Sequence, residues 1–144
     1  MEKTRVAVIG LGSVAQMVHL PNLMKINSAE ISSVAEINKG RLNIVADKFN
    51  VKKRFKNHTE LLKDDETDAV IISTPTHLHK QIAIDCLNAG KDVLVEKPLA
   101  RNSIEGLEVV ECAKKNKRKL MVGMNLRYRP DSMLIRSLID AGEI

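Results

Sequence analysis

Short apolar runs alternate along this chain with longer stretches whose apolar positions recur every three or four residues. The runs RVAVIG (5–10), EISSVAEI (30–37), KRF (53–55), DAVIIST (68–74), DVLVE (92–96) and LMVGMN (120–125) read as strands. The most continuous of them lack polar alternation, which predicts strands buried on both faces, as in a parallel sheet. Helical patterns lie between them at 13–26, 39–49, 76–90, 102–116 and 130–142. Pro21 should kink or restart the first. Leu42, Val45 and Ala46 share one face of the second. Thr76 is the cap candidate for the third, which Asn88 and Gly90 close, and Ser103 is the cap candidate for the fourth. Gly142 stops the last. This order predicts an α/β fold, a doubly wound parallel sheet of six strands with helices on both faces and right-handed crossovers.

Composition narrows the class without changing the fold. The chain has 144 residues, 44% hydrophobic and 28% charged, which suits one globular domain. No apolar run approaches the roughly 20 residues of a membrane span. The opening MEKTRVAVIG carries Glu2 and runs straight into a strand, so no signal peptide is expected. Cys86 and Cys112 stand far apart in helical patterns and read as buried free thiols, consistent with a cytoplasmic location. Net charge is +5, with clusters at KKRFK (52–56) and KKNKRK (114–119). The second cluster closes a predicted helix, where cations complement the macrodipole. With three aromatics and no nucleic-acid-binding motif, the charge reads as solvated surface, and neither nucleic acid nor membrane is an expected partner.

In doubly wound sheets ligands bind beyond the carboxyl ends of the strands, so the residues after each strand carry the chemistry. The first strand is followed by GLGSVA (10–15). Gly10 permits a tight turn, Gly12 a close approach to a pyrophosphate, and Ala15 close helix–strand packing. The helix opening at Ser13 aims free N–H groups at phosphates. Because this fingerprint follows a strand and opens a helix, it reads as a Rossmann-type dinucleotide loop. Glu36 ends the second strand 24 residues beyond Gly12, where an acid accepts from the adenosine ribose hydroxyls. A carboxylate there favours NAD over NADP. Lys39 and Arg41 could neutralise a 2′-phosphate and keep NADP open. STPTHLH (73–79) follows the fourth strand. Two histidines two positions apart do not share a helix face, so no metal pair is expected. One of them is expected in solvent and the other packed locally, unless the loop borders a nicotinamide pocket. The fifth strand ends in Glu96, Lys97 and Pro98, a combination strand interiors reject. A lysine fixed there can donate to a substrate oxygen or serve in proton transfer.

Together VAVIGLGSVA, AVIISTPTHLHKQIAIDCLNAGKDVLVEKPLA and GMNLRYRP resemble the cofactor domain of the glucose–fructose oxidoreductase, inositol dehydrogenase and rhizopine-catabolism (Gfo/Idh/MocA) family. The similarity runs over essentially the whole chain. It implies an NAD(P)-dependent oxidoreductase acting on hydroxyl groups of sugars or cyclitols. By position, Lys97 matches the lysine of the family's E-K-P motif, the expected catalytic residue, which also touches the nicotinamide side. Gly10, Leu11, Gly12, Ser13, Val14 and Ala15 match the pyrophosphate loop, and Glu36 the ribose acid. Ser73, Thr74, Pro75 and His79 match the loop after the fourth strand, Glu96 stands beside Lys97, and Arg127 matches an arginine near the nicotinamide end.

The resemblance also implies what is not here. Family members run to about twice this length or more, and their second half binds substrate, often oligomerises, and supplies a further Asp and His. Residues 1–124 are therefore expected to form the cofactor domain, and 125–144 a connection toward a substrate domain. None of His19, His58, His77 and His79 is expected to replace the missing histidine. The expected partners are a nicotinamide dinucleotide, a small polyhydroxylated substrate and further copies of the protein. The alternative function is a dinucleotide-binding sensor acting through a protein partner, on a surface exposing Met124, Met133, Leu134 and Leu138. A Rossmann domain that has lost its ligand is disfavoured by the intact glycine loop and Glu36.

Overall fold

Six strands form at the apolar runs: β1 (Thr4–Ile9), β2 (Ala29–Ala35), β3 (Lys53–Phe55), β4 (Ala69–Ile72), β5 (Asp92–Val95) and β6 (Leu120–Val122). They make one all-parallel sheet in the order β3-β2-β1-β4-β5-β6. The computed structural model describes residues 3–144; Glu2, which bears on the expected absence of a signal peptide, lies outside them. Successive residues of a strand point to opposite faces, and the sheet uses both. Ala7 and Ile9 join Val70, Ile72, Val93 and Val95 under helices α4 (Thr76–Asn88) and α5 (Ser103–Asn116). Val6 and Val8 join Val34 and Ile71 under α1 (Leu20–Leu23) and α2 (Lys39–Lys48). Each fully buried branched or aromatic side chain contributes about 1.5–3 kcal/mol, so both faces need helices. This is the doubly wound Rossmann arrangement.

Local details depart from the periodic pattern. The first helix begins at residue 13 and widens into a π-helical turn at Ala15–His19, then resumes as α1. The Leu20 N–H bonds the Ala15 carbonyl, five residues back, and Pro21 stands in the first turn of α1. Proline has no N–H to continue the ladder, and the wider turn accommodates the gap. A short α3 (His58–Leu61), which the sequence pattern does not predict, is capped by Asn57, whose side chain accepts from the Glu60 N–H. Asn102, not Ser103, caps α5 by accepting from Glu105 N–H at 2.9 Å. Thr76 is the first residue of α4 rather than its cap, since Pro75 precedes the helix with no side-chain bond. β6 stops at Val122, and a 3₁₀ turn (Asn125–Tyr128) leads into α6 (Pro130–Asp140). Cys86 is buried, Cys112 half-buried, and both are free. Burial pushes the Cys86 thiol up to about 12.

A staple at the opposite edge from the strand ends gives the first prediction. Asp68, just before β4, accepts from the Arg5 backbone N–H at 2.8 Å and from its guanidinium at 2.7 and 3.1 Å. These bonds hold the Asp68 carboxyl down from 3.8 to about 2. A carboxyl depressed in the folded state stabilises above its unfolded pKa and loses that contribution as pH falls through the folded one. The pair is more than a third exposed, so solvent screening limits it to about 1 kcal/mol. Asp68→Asn should lower the urea midpoint at neutral pH, with the difference from the parent fading as the pH approaches about 2.

Candidate active site

All the loops that follow the strands at the carboxyl edge of the sheet, except the last, border one cleft of about 930 Å³. β1 is followed directly by Gly10, whose φ is +85°. A Cβ there would stand 2.6 Å from the Ser73 carbonyl oxygen and 2.9 Å from Thr74 Cγ2. The glycine loop and the loop after β4 thus touch at the one position where both the space and the dihedral demand glycine. Above Gly12 a Cβ would meet no heavy atom within 4 Å, so the backbone faces open space. Gly12, Ser13 and Val14 line the cleft, and the helix N–H groups following Gly12 begin there without a preceding turn to bond. Leu11 and Ala15 are fully buried and pack beneath the loop. Gln16 Nε2 donates to the Leu11 carbonyl at 2.8 Å and braces it.

Glu36 stands directly after β2, with its side chain 4% exposed. Its Oε2 accepts from the Leu11 N–H at 3.0 Å, and its Oε1 accepts from the Asn38 N–H and the Arg41 guanidinium, each at 2.9 Å. Burial pushes this carboxyl up, but the Arg41 bond and the two backbone donors outweigh it and hold it below the usual value of 4.5. Arg41, a candidate phosphate neutraliser by sequence, is therefore seated on Glu36 itself and is half exposed. Lys56, Asn57 and His58 border the same end of the cleft. His58 Nε2 lies 2.8 Å from Asp85 Oδ2.

The loop after β4 brings Ser73, Thr74 and Pro75 to the cleft. The Thr74 hydroxyl is buried with no hydrogen-bond partner, a polar atom left over in the wall. His77 is exposed at the start of α4. His79 is buried, with Nδ1 2.8 Å from the Pro98 carbonyl and Nε2 2.8 Å from the Thr74 carbonyl. It joins the loop after β4 to the loop after β5. Glu96 and Lys97 close the cleft at the far end from Glu36. Lys97 is exposed and forms no ion pair among the described residues. Arg127 does not join them: the early end of β6 puts it on the 3₁₀ turn, exposed and outside the cleft lining.

The lining suits a dinucleotide from end to end. It offers an acid for a diol, an open glycine turn at a helix start for phosphates, apolar wall from Ile37, Leu78 and Ile82, and a hydroxyl and an ammonium that are unpaired among the described residues. Two histidines take places that no motif assigns them. His58 borders the cleft three residues past the end of β3, where the strand-end rule points. His19 pairs with Glu96 at 2.9 Å, a contact across 77 positions that no local motif encodes.

Comparison with known proteins gives the family and the fold. The profile of the GFO/IDH/MocA oxidoreductase family, NAD-binding Rossmann fold, matches residues 4–124. Myo-inositol 2-dehydrogenase of Thermotoga maritima is 31% identical over 140 residues, 97% of this chain and 42% of that protein. The WlbA dehydrogenase of Chromobacterium violaceum, solved with NADH and UDP-GlcNAcA, superposes with a TM-score of 0.93 at 30% identity, over 98% of this chain and 41% of that one. A mutant of KijD10, a 3-ketoreductase from Actinomadura kijaniata solved with NADP and TDP-benzene, gives 0.90 at 27% identity, over 98% and 43%. The chain spans less than half the length of each. By the match over residues 4–124, and by the strand ends that form the cleft, the chain belongs to the GFO/IDH/MocA oxidoreductase family through its NAD-binding Rossmann domain.

Proposed function

We propose that the chain is the cofactor half of an NAD(P)-dependent dehydrogenase acting on a sugar- or cyclitol-like hydroxyl. The observation that carries this reading is the continuity of one cleft from Glu36, past the glycine turn, to the unpaired ammonium of Lys97. The N–H groups after Gly12 bond the pyrophosphate, and Glu36 accepts from the adenosine ribose. Nicotinamide, when bound, supplies the hydride chemistry. Lys97 would donate to the substrate oxygen and stabilise the negative charge left there as the hydroxyl proton departs, before the carbon gives up its hydride. NAD is the preferred cofactor because Glu36 is ionised and buried where a 2′-phosphate would approach.

Residues 125–144 serve as the connection to a substrate-binding domain. In support, α6 buries none of its residues, and Met124, Met133 and Leu134 are exposed with Leu138 half-buried. The whole enzyme acts in the cytoplasm and assembles with further copies through that second domain. No helix among the described residues is long and apolar enough to cross a membrane.

Calorimetric titration of the chain with NADH, NADPH and ADP-ribose tests the reading. NADH should bind, and more tightly than NADPH. The chain alone should not oxidise inositol or common sugars, because the second wall and proton acceptor belong to the other domain. No binding of any of the three would overturn the cofactor reading. A Lys97-dependent turnover by the isolated chain would overturn the division of labour.

A further inference from the structure

The carboxylate that follows β5 is held from three sides. His19 Nε2 lies 2.9 Å from Glu96 Oε1, with the two side chains only 13% and 20% exposed. The Lys97 N–H donates to Oε2 at 3.2 Å. Gly123, just after β6, packs against the same group. A Cβ there would stand 3.2 Å from Oε1 and 3.3 Å from Oε2. His19 ends the π-helical turn that follows the glycine loop, a local widening often found at functional sites. Three segments therefore fix a carboxylate on the wall of the cleft, next to the lysine of the proposed reaction.

A carboxylate desolvated to this degree is costly unless something offsets it. His19 supplies a hydrogen bond in its Nε2–H tautomer, and Gly123 supplies room. A plain clip between a helix and a strand end needs neither a place on the cleft wall nor a glycine opposite. Lys97 and His19 are the charged or titratable partners of Glu96, and His79, bonded to the Pro98 carbonyl, and His77 line the same cleft. The Lys97 ammonium repels a cation bound at this end of the cleft, and Glu96 is the counter-charge.

We infer that Glu96, held by His19, is a positioning and charge-balancing residue that makes the cleft favour the oxidised, cationic nicotinamide over the reduced, neutral ring. The inference rests on the proposed dinucleotide reading, in which the end of the cleft opposite Glu36 takes the nicotinamide. A unit charge a few ångströms away in a partly solvated site changes a cation's binding by about tenfold or more. It leaves a neutral ring nearly untouched.

The test compares dissociation constants of NAD⁺, NADH and ADP-ribose for the chain and for Glu96→Gln, His19→Ala and His19→Gln. Glu96→Gln should raise the ratio Kd(NAD⁺)/Kd(NADH) about tenfold and leave ADP-ribose unchanged. His19→Ala should shift the ratio the same way by less, and His19→Gln, whose amide N–H can replace the imidazole donor, should restore it. A ratio unchanged in Glu96→Gln overturns the inference. So does an equal loss for all three ligands, which is what a merely structural clip gives. If thermal unfolding shows that Glu96→Gln does not fold, the His19→Ala and His19→Gln pair decides by the same ratio. Failure of the parent chain to bind any of the three would remove the dinucleotide reading as well, whereas binding with a flat ratio removes this inference alone.

Discussion

Gly10→Ala is expected to cost about 3 kcal/mol or more of stability and to abolish cofactor binding. Two terms add. A side chain at φ +85° carries backbone strain of about 1–3 kcal/mol. The new methyl would also lie 2.6 Å from the Ser73 carbonyl oxygen and 2.8 Å from its carbon, both main-chain atoms that cannot swing aside. Either β4's loop retreats or the glycine turn does, and each retreat breaks the cleft at its middle. Gly12→Ala separates fold from function. Its φ is not positive and nothing lies within 4 Å of the added carbon, so stability should change by less than about 1 kcal/mol. The methyl would still occupy the space through which a pyrophosphate reaches the backbone, so NADH should bind at least tenfold more weakly. Urea midpoints and NADH titrations of both variants check the pair. A Gly10→Ala protein with the parent's midpoint would show that the two loops are not locked together there.

That contrast marks what the sequence could and could not disclose. The strands were legible because a parallel sheet covered on both faces needs uninterrupted apolar runs, as at Ala69–Ile72, where Val70, Ile71 and Ile72 are all buried. The cleft was legible because a doubly wound sheet puts its chemistry in the few residues after each strand. Glu36, Ser73, Thr74, Glu96 and Lys97 all stand there and all line it. What stayed hidden was pairing over distance. Nothing local says that His19 meets Glu96 or that His79 bridges the carbonyls of Thr74 and Pro98. Adjacent residues of equal chemistry were also hard to separate: Asn102 and Ser103 are both good caps, and the backbone chose Asn102. Arg127 lies outside the cleft lining: β6 ends after three residues, and the arginine stands exposed on the 3₁₀ turn that follows.

The second large effect concerns Glu36, where fold and cofactor choice meet in one side chain. Glu36→Ala should lower stability by about 2–3 kcal/mol, because it strands the buried Leu11 N–H and leaves Arg41 without its partner. It should weaken NADH binding about a hundredfold through loss of two charge-assisted ribose hydrogen bonds. The stabilising part is pH-dependent in a fixed sense. The folded carboxyl lies below its ordinary value, so its contribution holds above that value and disappears as acid titrates the folded group. The Glu36→Ala midpoint should therefore converge on the parent's in acid and diverge toward neutrality.

Arg41→Ala acts on the same carboxylate with a different outcome. Oε1 of Glu36 already accepts two bonds, from Asn38 and Arg41, so a ribose diol must compete with the guanidinium for it. Removing Arg41 frees that oxygen for NADH and removes the guanidinium seated on Glu36 that a 2′-phosphate could meet. NADH affinity should hold or rise, while NADPH affinity falls by about tenfold, the worth of one charge-assisted bond. In a double-mutant cycle with Glu36→Ala, the NADPH effect of Arg41→Ala should grow, since a guanidinium released from Glu36 is free to take the phosphate. Equal losses of NADH and NADPH in Arg41→Ala would instead mean that the arginine only holds Glu36 in place, and that the preference between the two cofactors is set by the carboxylate alone.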